Sequence, residues 1–208
     1  MSESRDDRRE TEEQGNPVRE MFILAALYLP MAFFIWFSFS SALMWLPGRV
    51  LDMVLTGLYP SLFDDVVQFG FRYEVQTAIQ LPQTVDGRLA LLTLQINPMI
   101  YAWGMALLFG LTMATPTTIK RRLLQLVVAY LLISLVAAWG AFWETWMNLA
   151  FQAGEPGAAA AAAAGLAPTL IALMYQLGYL MLPAVIPLAA WILMNRPFLE
   201  RVAFGRHR

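Results

Sequence analysis

Apolar and polar positions along this chain fall into four long apolar stretches, separated by one long mixed segment and two short connections. A bilayer-crossing helix needs about 20 apolar residues. Residues 21–46 meet that without a charge, and residues 98–114, 123–150 and 169–194 follow, the third carrying Glu144 near its end. A cleaved signal peptide is set aside for 21–46. Its apolar run is far longer than about 7–15 residues, and the leader before it is acidic as well as basic. Within 47–97 the pattern changes twice. Leu51, Val54, Leu55, Leu58 and Leu62 recur at helical spacing and predict an amphipathic helix, interrupted by Tyr59-Pro60. Such a helix lies along the outer membrane surface or covers the bundle end. From Phe69 the period becomes two: Phe69, Phe71, Tyr73, Val75, Thr77, Ile79 and Leu81 alternate with polar or small residues. That is a half-buried strand. Residues 82–87 hold turn chemistry, including Asp86-Gly87, and 88–96 form a second strand. A lone hairpin is marginally stable. Its apolar face therefore needs the amphipathic helix, the bundle rim or another protein. The predicted fold is a mainly α membrane protein, a four-helix transmembrane bundle with a small external helix-plus-β-hairpin lobe between the first and second spans.

Composition strengthens the membrane reading. Of 208 residues, 59% are hydrophobic and 14% charged, against about 45–50% and about 25% in soluble domains. Mean hydropathy is +0.55. Basic residues orient the chain: four in 1–20, three in 47–97, three packed together as Lys120-Arg121-Arg122, none in 151–168 and four in 195–208. Cytoplasmic segments retain Lys and Arg. Both termini inside places eleven of the 14 basic residues in the cytoplasm and three outside. Residues 1–20 then form a disordered, solvated cytoplasmic tail and 195–208 a basic one, with three further spans and their connections across 98–194. Seven alanines, 158–164, read as low-complexity filler in preference to a short helix. The net charge of -1 lacks the basic excess of a nucleic-acid binder, so membrane lipid is the expected surrounding. There is no cysteine, and the sole histidine is His207. A cysteine nucleophile, a thiolate metal site and disulfides are excluded, histidine catalysis and clustered histidine ligands are not expected, and no catalytic residue, cofactor or metal is expected.

Candidate contacts come from polar residues inside the apolar stretches. Glu144 is the one acid in a span, and intramembrane acids are functional hypotheses by default. It lies about 33 Å along the helix from Arg122 at about 1.5 Å per residue, near the outer interface. Trp139, Phe142, Trp143 and Trp146 around it read as an aromatic belt. An interfacial structural role is the blander account. A functional Glu144 would receive a peptide group or a basic side chain. Asn148 lies one turn further on. Tyr175, Gln176 and Tyr179 occupy the outer half of the fourth span, before Pro183 and Pro187 bend it, and these polar groups are able to satisfy Glu144 or Asn148 within the bundle. Ala102, Ala106, Gly110 and Ala114 form a small-residue stripe for helix packing. Asn97-Pro98 suits the start of a helix, with Asn97 capping it.

The runs N-P-M-I-Y-A-W-G at 97–104, Y-Q-L-G-Y-L-M-L-P-A-V at 175–185 and N-R-P-F-L-E at 195–200 resemble the exosortase H-associated membrane proteins. The resemblance covers roughly residues 21–200 and leaves out the leader and the alanine run. Exosortases are multi-spanning enzymes that cleave a C-terminal sorting signal with a cysteine nucleophile assisted by basic residues. The resemblance thus implies a non-enzymatic companion in the inner membrane of a Gram-negative bacterium, binding the sorting peptidase or its substrate. Asn97, Pro98, Tyr101, Gly104, Tyr175, Gln176, Gly178, Tyr179 and Pro183 match the pattern without assigned roles. The alternative class is a small transporter or lipid-binding protein using Glu144 and the bent fourth helix.

Overall fold

The computed structural model describes residues 17–85 and 88–204. The leader up to residue 16, the Asp86-Gly87 turn and His207 lie outside the described residues. Helix α1 (Pro17–Ser38) begins before the first apolar stretch, and short α2 (Ser40–Leu43) and amphipathic α3 (Trp45–Leu58) continue from it. Strands β1 (Phe63–Phe69), β2 (Arg72–Val85) and β3 (Arg88–Ile96) follow. Then come α4 (Met99–Ala102), α5 (Gly104–Ala114), α6 (Ile119–Phe151), α7 (Gly154–Ala163), α8 (Pro168–Gln176), a π-turn (Leu177–Met181), α9 (Leu182–Met194) and α10 (Arg196–Phe204).

Three helical stretches are long and apolar enough to cross a bilayer: Arg19–Ser38, Ile119–Phe151 and Pro168–Met194. The fourth expected span differs. Met99–Ala114 is apolar but short, and at about 1.5 Å per residue it rises about 24 Å. The helix fills the apolar run 98–114, which β3 bounds at Ile96 and the turn before Ile119 bounds on the other side. Met99–Ala114 is the inner helix of the bundle, running from the lobe to the turn before α6, with Met105, Ala106 and Leu108 fully buried. The long helices face outward, and Phe22, Phe34, Leu123, Leu135 and Leu193 are exposed apolar side chains. Hydrocarbon is the medium in which such a surface costs nothing.

The small-residue stripe lies inside. Ala102, Ala106 and Ala114 are buried, and a Cβ at Gly110 would come within 2.7 Å of Leu29 on α1. Opposite the lobe, polar bonds tie the helix ends together. Trp191 Nε1 donates to Thr115 Oγ1 at 2.9 Å, Gln125 Nε2 to Asn195 Oδ1 at 3.0 Å, and Arg121 to the Met194 carbonyl at 2.5 Å. The tail expected from residue 195 therefore begins as helix α10.

The lobe is a three-stranded antiparallel meander, order β1-β2-β3, and not a two-stranded hairpin. Strand β1 does not show in the alternation because Asp64-Asp65 and Val66-Val67 break the period, and the pairing itself slips between Phe63 and Asp65. Gly70, at φ 62°, turns β1 into β2, a conformation glycine adopts without steric cost. Helix α3 stops at Leu58, ahead of Tyr59-Pro60, and Leu62 lies beyond it. The lobe's apolar side is closed by its own chain. Leu51 and Leu55 of α3, Phe63, Tyr73, Val75 and Ile96 are all buried, and Trp146 of α6 receives Tyr59 and Phe63 edge-on at 4.8 and 5.4 Å. Tyr73 Oη donates to the Met44 carbonyl at 2.5 Å. Burial pushes the Tyr73 phenol well above its ordinary value. Of the three partners considered for the hairpin, the protein itself supplies two, α3 and the bundle rim.

The alanine run is helical, as part of α7 (Gly154–Ala163). Alanine's helix propensity acts here with close packing. Gly157 sits against the Leu149 carbonyl of α6 with no room for a Cβ, and Ala161 is buried.

Candidate functional site

Three separate parts of the chain converge on Glu144. The first is the junction of β3 and α4. Asn97 ends the strand and accepts the Met99 N–H on Oδ1 at 3.3 Å, and Tyr101 N–H reaches the Pro98 carbonyl at 3.1 Å. This local winding turns Tyr101 inward, where it is fully buried. The second part is α6. Gly140 lies beneath the Tyr101 ring, where a Cβ would overlap the ring atoms, and Glu144 follows one turn later. The third is the fourth apolar stretch. Tyr175 closes α8, and the π-turn brings Gly178 close enough to α6 that a Cβ there would stand 3.3 Å from Gly140 Cα.

The π-turn has a physical cause in Pro183. Proline lacks an N–H, and its ring clashes with the carbonyl four residues back. Widening the turn relieves the clash, and Leu182 N–H bonds back to the Leu177 carbonyl. The bend expected from Pro183 and Pro187 thus takes the form of a π-turn just ahead of Pro183. It sets Tyr179 parallel to Tyr175, with rings 5.9 Å apart at 9°, and edge-on to Tyr101 at 6.4 Å and 79°.

The Tyr101 hydroxyl, the Glu144 carboxyl and the Tyr175 hydroxyl lie within electrostatic reach of one another, and Glu144 also faces the Asn97 backbone. Even so, Tyr101 Oη and Glu144 Oε2 are buried atoms without a partner at full hydrogen-bond geometry. No ion pair reaches Glu144 among the described residues. Among the described residues the ion pairs are Arg49–Asp52 and Arg196–Glu200. Nor do any three His, Cys, Asp or Glu side chains gather among the described residues.

Of the candidate contacts, Asn97, Tyr101, Glu144, Tyr175 and Tyr179 meet at this place. Asn148, one turn beyond Glu144, is half-buried, and Gln176 is exposed, so Tyr175 rather than Gln176 faces the acid. The aromatic belt is corrected. Trp146 is fully buried and Trp143 is 8% exposed, because the lobe covers them, while Trp139 is the indole of the group left open to the surroundings. Gly140 and Gly178 were missing from the site reading or without a role in it. Their signal is the run of small residues Ala137, Gly140 and Ala141 on α6, opposite Gly178 in the fourth stretch.

Apolar outward faces, an internal short helix and a partly unsatisfied polar cluster define a polytopic α-helical membrane protein bearing a β-meander lobe. The family model for the exosortase H-associated membrane protein matches residues 15–198, and the chain belongs to that family. No curated protein and no solved structure matches it.

Proposed function

We propose that this chain is a non-catalytic inner-membrane accessory subunit of an exosortase-type protein-sorting system, binding the sorting peptidase or the C-terminal segment of its substrate. Family membership carries the reading. The residues support it: the chain has no cysteine, and its sole histidine is the penultimate residue, so it lacks the nucleophile on which sorting peptidases depend. The basic cluster at Lys120–Arg122 belongs on the cytoplasmic side. The lobe packs on the other end of α6 and so belongs outside; with Met99–Ala114 carrying the chain back from the lobe to the Lys120–Arg122 side, this reading has both termini in the cytoplasm.

The test is recovery of this protein in mild detergent together with a multi-spanning cysteine peptidase, alongside deletion of its gene. Co-purification and unprocessed sorting substrates are expected. A protein recovered alone, in a strain whose substrates mature normally, overturns the reading.

A second reading, a small transporter or lipid-binding protein, draws on an apolar groove of about 350 Å³ between α3 and α6, lined by Val54, Leu58, Leu135 and Trp139 among others. Stoichiometric lipid retained through purification, and lost in Leu135→Trp, would favour it.

A further inference from the structure

We infer that the cluster around Glu144 is a receptor for a basic side chain carried by a transmembrane helix of the partner. This rests on the accessory-subunit reading and gives its docking site a chemistry.

Four observations carry it. The first is the deficit within the cluster: Tyr101 is fully buried, and its hydroxyl and Glu144 Oε2 lie beside each other, with Tyr175 and the Asn97 backbone near, yet neither atom has a partner at full hydrogen-bond geometry. An acid inside a membrane faces the bundle interior or a water-filled cavity and pairs with another group. This one faces the bundle interior, but its neighbours are tyrosine hydroxyls and a backbone group, and among the described residues no cation pairs with it. The second is the whereabouts of the chain's own cations. Arg49 is bound to Asp52, Arg72 lies over the Phe71 ring of the lobe, and Lys120–Arg122 occupy the far end of α6. The third is the wall. Tyr175, within electrostatic reach of the carboxyl, and Tyr179 present parallel rings. An acid next to aromatic faces is the setting in which a cation, above all a planar guanidinium, gains both an ion pair and ring contact. The fourth is access. Tyr179 is 47% exposed, and Leu180 and Met181 of the π-turn are also exposed. The π-turn side of the cluster therefore lies at the surface that meets the bilayer, the direction from which a second helix approaches, and π-turns recur at functional sites.

The probes are three synthetic transmembrane peptides, identical Leu/Ala helices with Arg, Gln or Leu about one turn from the outer end. Their binding to the full chain in lipid nanodiscs is measured by energy transfer. The Arg peptide is expected to bind at least tenfold more tightly than the other two. That preference falls below threefold in Glu144→Gln, and it weakens in Tyr179→Ala, whose exposed side chain is removed without opening the core. Equal binding of all three peptides to the wild type, or an Arg preference that survives Glu144→Gln, overturns the inference.

Co-purification of the sorting peptidase is followed on the same variants. If Glu144→Gln keeps the peptidase and wild type shows no Arg preference, this inference fails and the accessory role stands. If the Arg preference is present and no peptidase is retained by wild type, the accessory role fails.

Discussion

Trp146→Ala is the sharpest test of how the lobe is held. Trp146 is fully buried, and it meets Tyr59 at 4.8 Å, Phe63 at 5.4 Å and Phe142 at 6.3 Å, each edge-on. Each such pair contributes about 0.5–1.5 kcal/mol beyond area burial. Where the alternative to the contact is water, removing a large buried ring costs about 3–5 kcal/mol in total. Where the alternative is lipid, the hydrophobic contribution vanishes and packing alone counts. The lobe side of Trp146 belongs to the first case, so a loss of about 3–5 kcal/mol is expected, concentrated in the lobe. Unfolding in detergent micelles gives the total, and amide exchange in β2 localises it. Phe34, 72% exposed on α1, is the control, and Phe34→Ala should change stability by less than about 0.5 kcal/mol. A Trp146→Ala loss below about 1 kcal/mol, or one shared evenly by the whole chain, would falsify the account of a lobe closed on its own bundle.

Gly140→Ala forces a Cβ into the Tyr101 ring and is expected to cost about 1–3 kcal/mol by overpacking. Gly57→Ala on α3, where nothing stands within 4 Å of the new Cβ, should instead stabilise by about 0.5–1 kcal/mol; thermal unfolding of the pair separates steric from conformational effects. Tyr73→Phe removes the hydrogen bond to the Met44 carbonyl and should cost about 1 kcal/mol near neutral pH. Because burial holds the folded-state phenol above its ordinary value, its contribution is fully present below about pH 10 and is lost as pH rises toward the folded-state value. Urea titrations at pH 8 and 11 should show a steeper decline for wild type than for Tyr73→Phe. Asn195→Ala leaves the buried Gln125 amide without its side-chain acceptor and should lower stability by about 1–3 kcal/mol, read as a fall in the unfolding midpoint in detergent.

Much of this architecture is written in the chain's periodicities. The period-two run through Tyr73 and Val75 is a strand, the Leu51–Leu58 spacing is a helix, and Asn97-Pro98 starts one. What escaped the periodicity has identifiable causes. Strand β1 is hidden because Asp64-Asp65 breaks its alternation, and the bulge that tolerates the break exists only once β2 is paired. The apolar run 98–114 and the helical stretch Met99–Ala114 agree within a residue; what the run does not show is its place inside the bundle, because an apolar residue facing lipid and one facing another helix read alike. Trp143 and Trp146 look like a lipid belt until the lobe folds over them, since an indole facing lipid and one facing a β-sheet present the same letter. The π-turn follows from Pro183, but its register depends on Gly178 meeting Gly140 across two helices. For the site, the residue types were visible, and the sequence offered both Tyr175 and Gln176 as company for Glu144. The choice between them is made by the extra residue that the π-turn inserts.

The closed lobe and the open cluster together constrain where a partner engages. A hairpin in need of cover is a reason to place the partner on the lobe, and that reason disappears once α3, Phe63 and Trp146 bury the sheet's apolar side. The exposed apolar rows of α1 and α6 are equally well served by lipid, so they select no particular partner. A polar deficit is different, because hydrocarbon does not repair it. Each unsatisfied polar group left in the bilayer costs several kcal/mol, a debt that a complementary helix removes and an acyl chain does not. Glu144 and Tyr101, close together but short of full hydrogen-bond geometry, hold part of such a deficit near the exposed ring of Tyr179. Recognition at this place would therefore be lateral, within the membrane, and driven by the polarity of a single side chain rather than by the area of the surface around it.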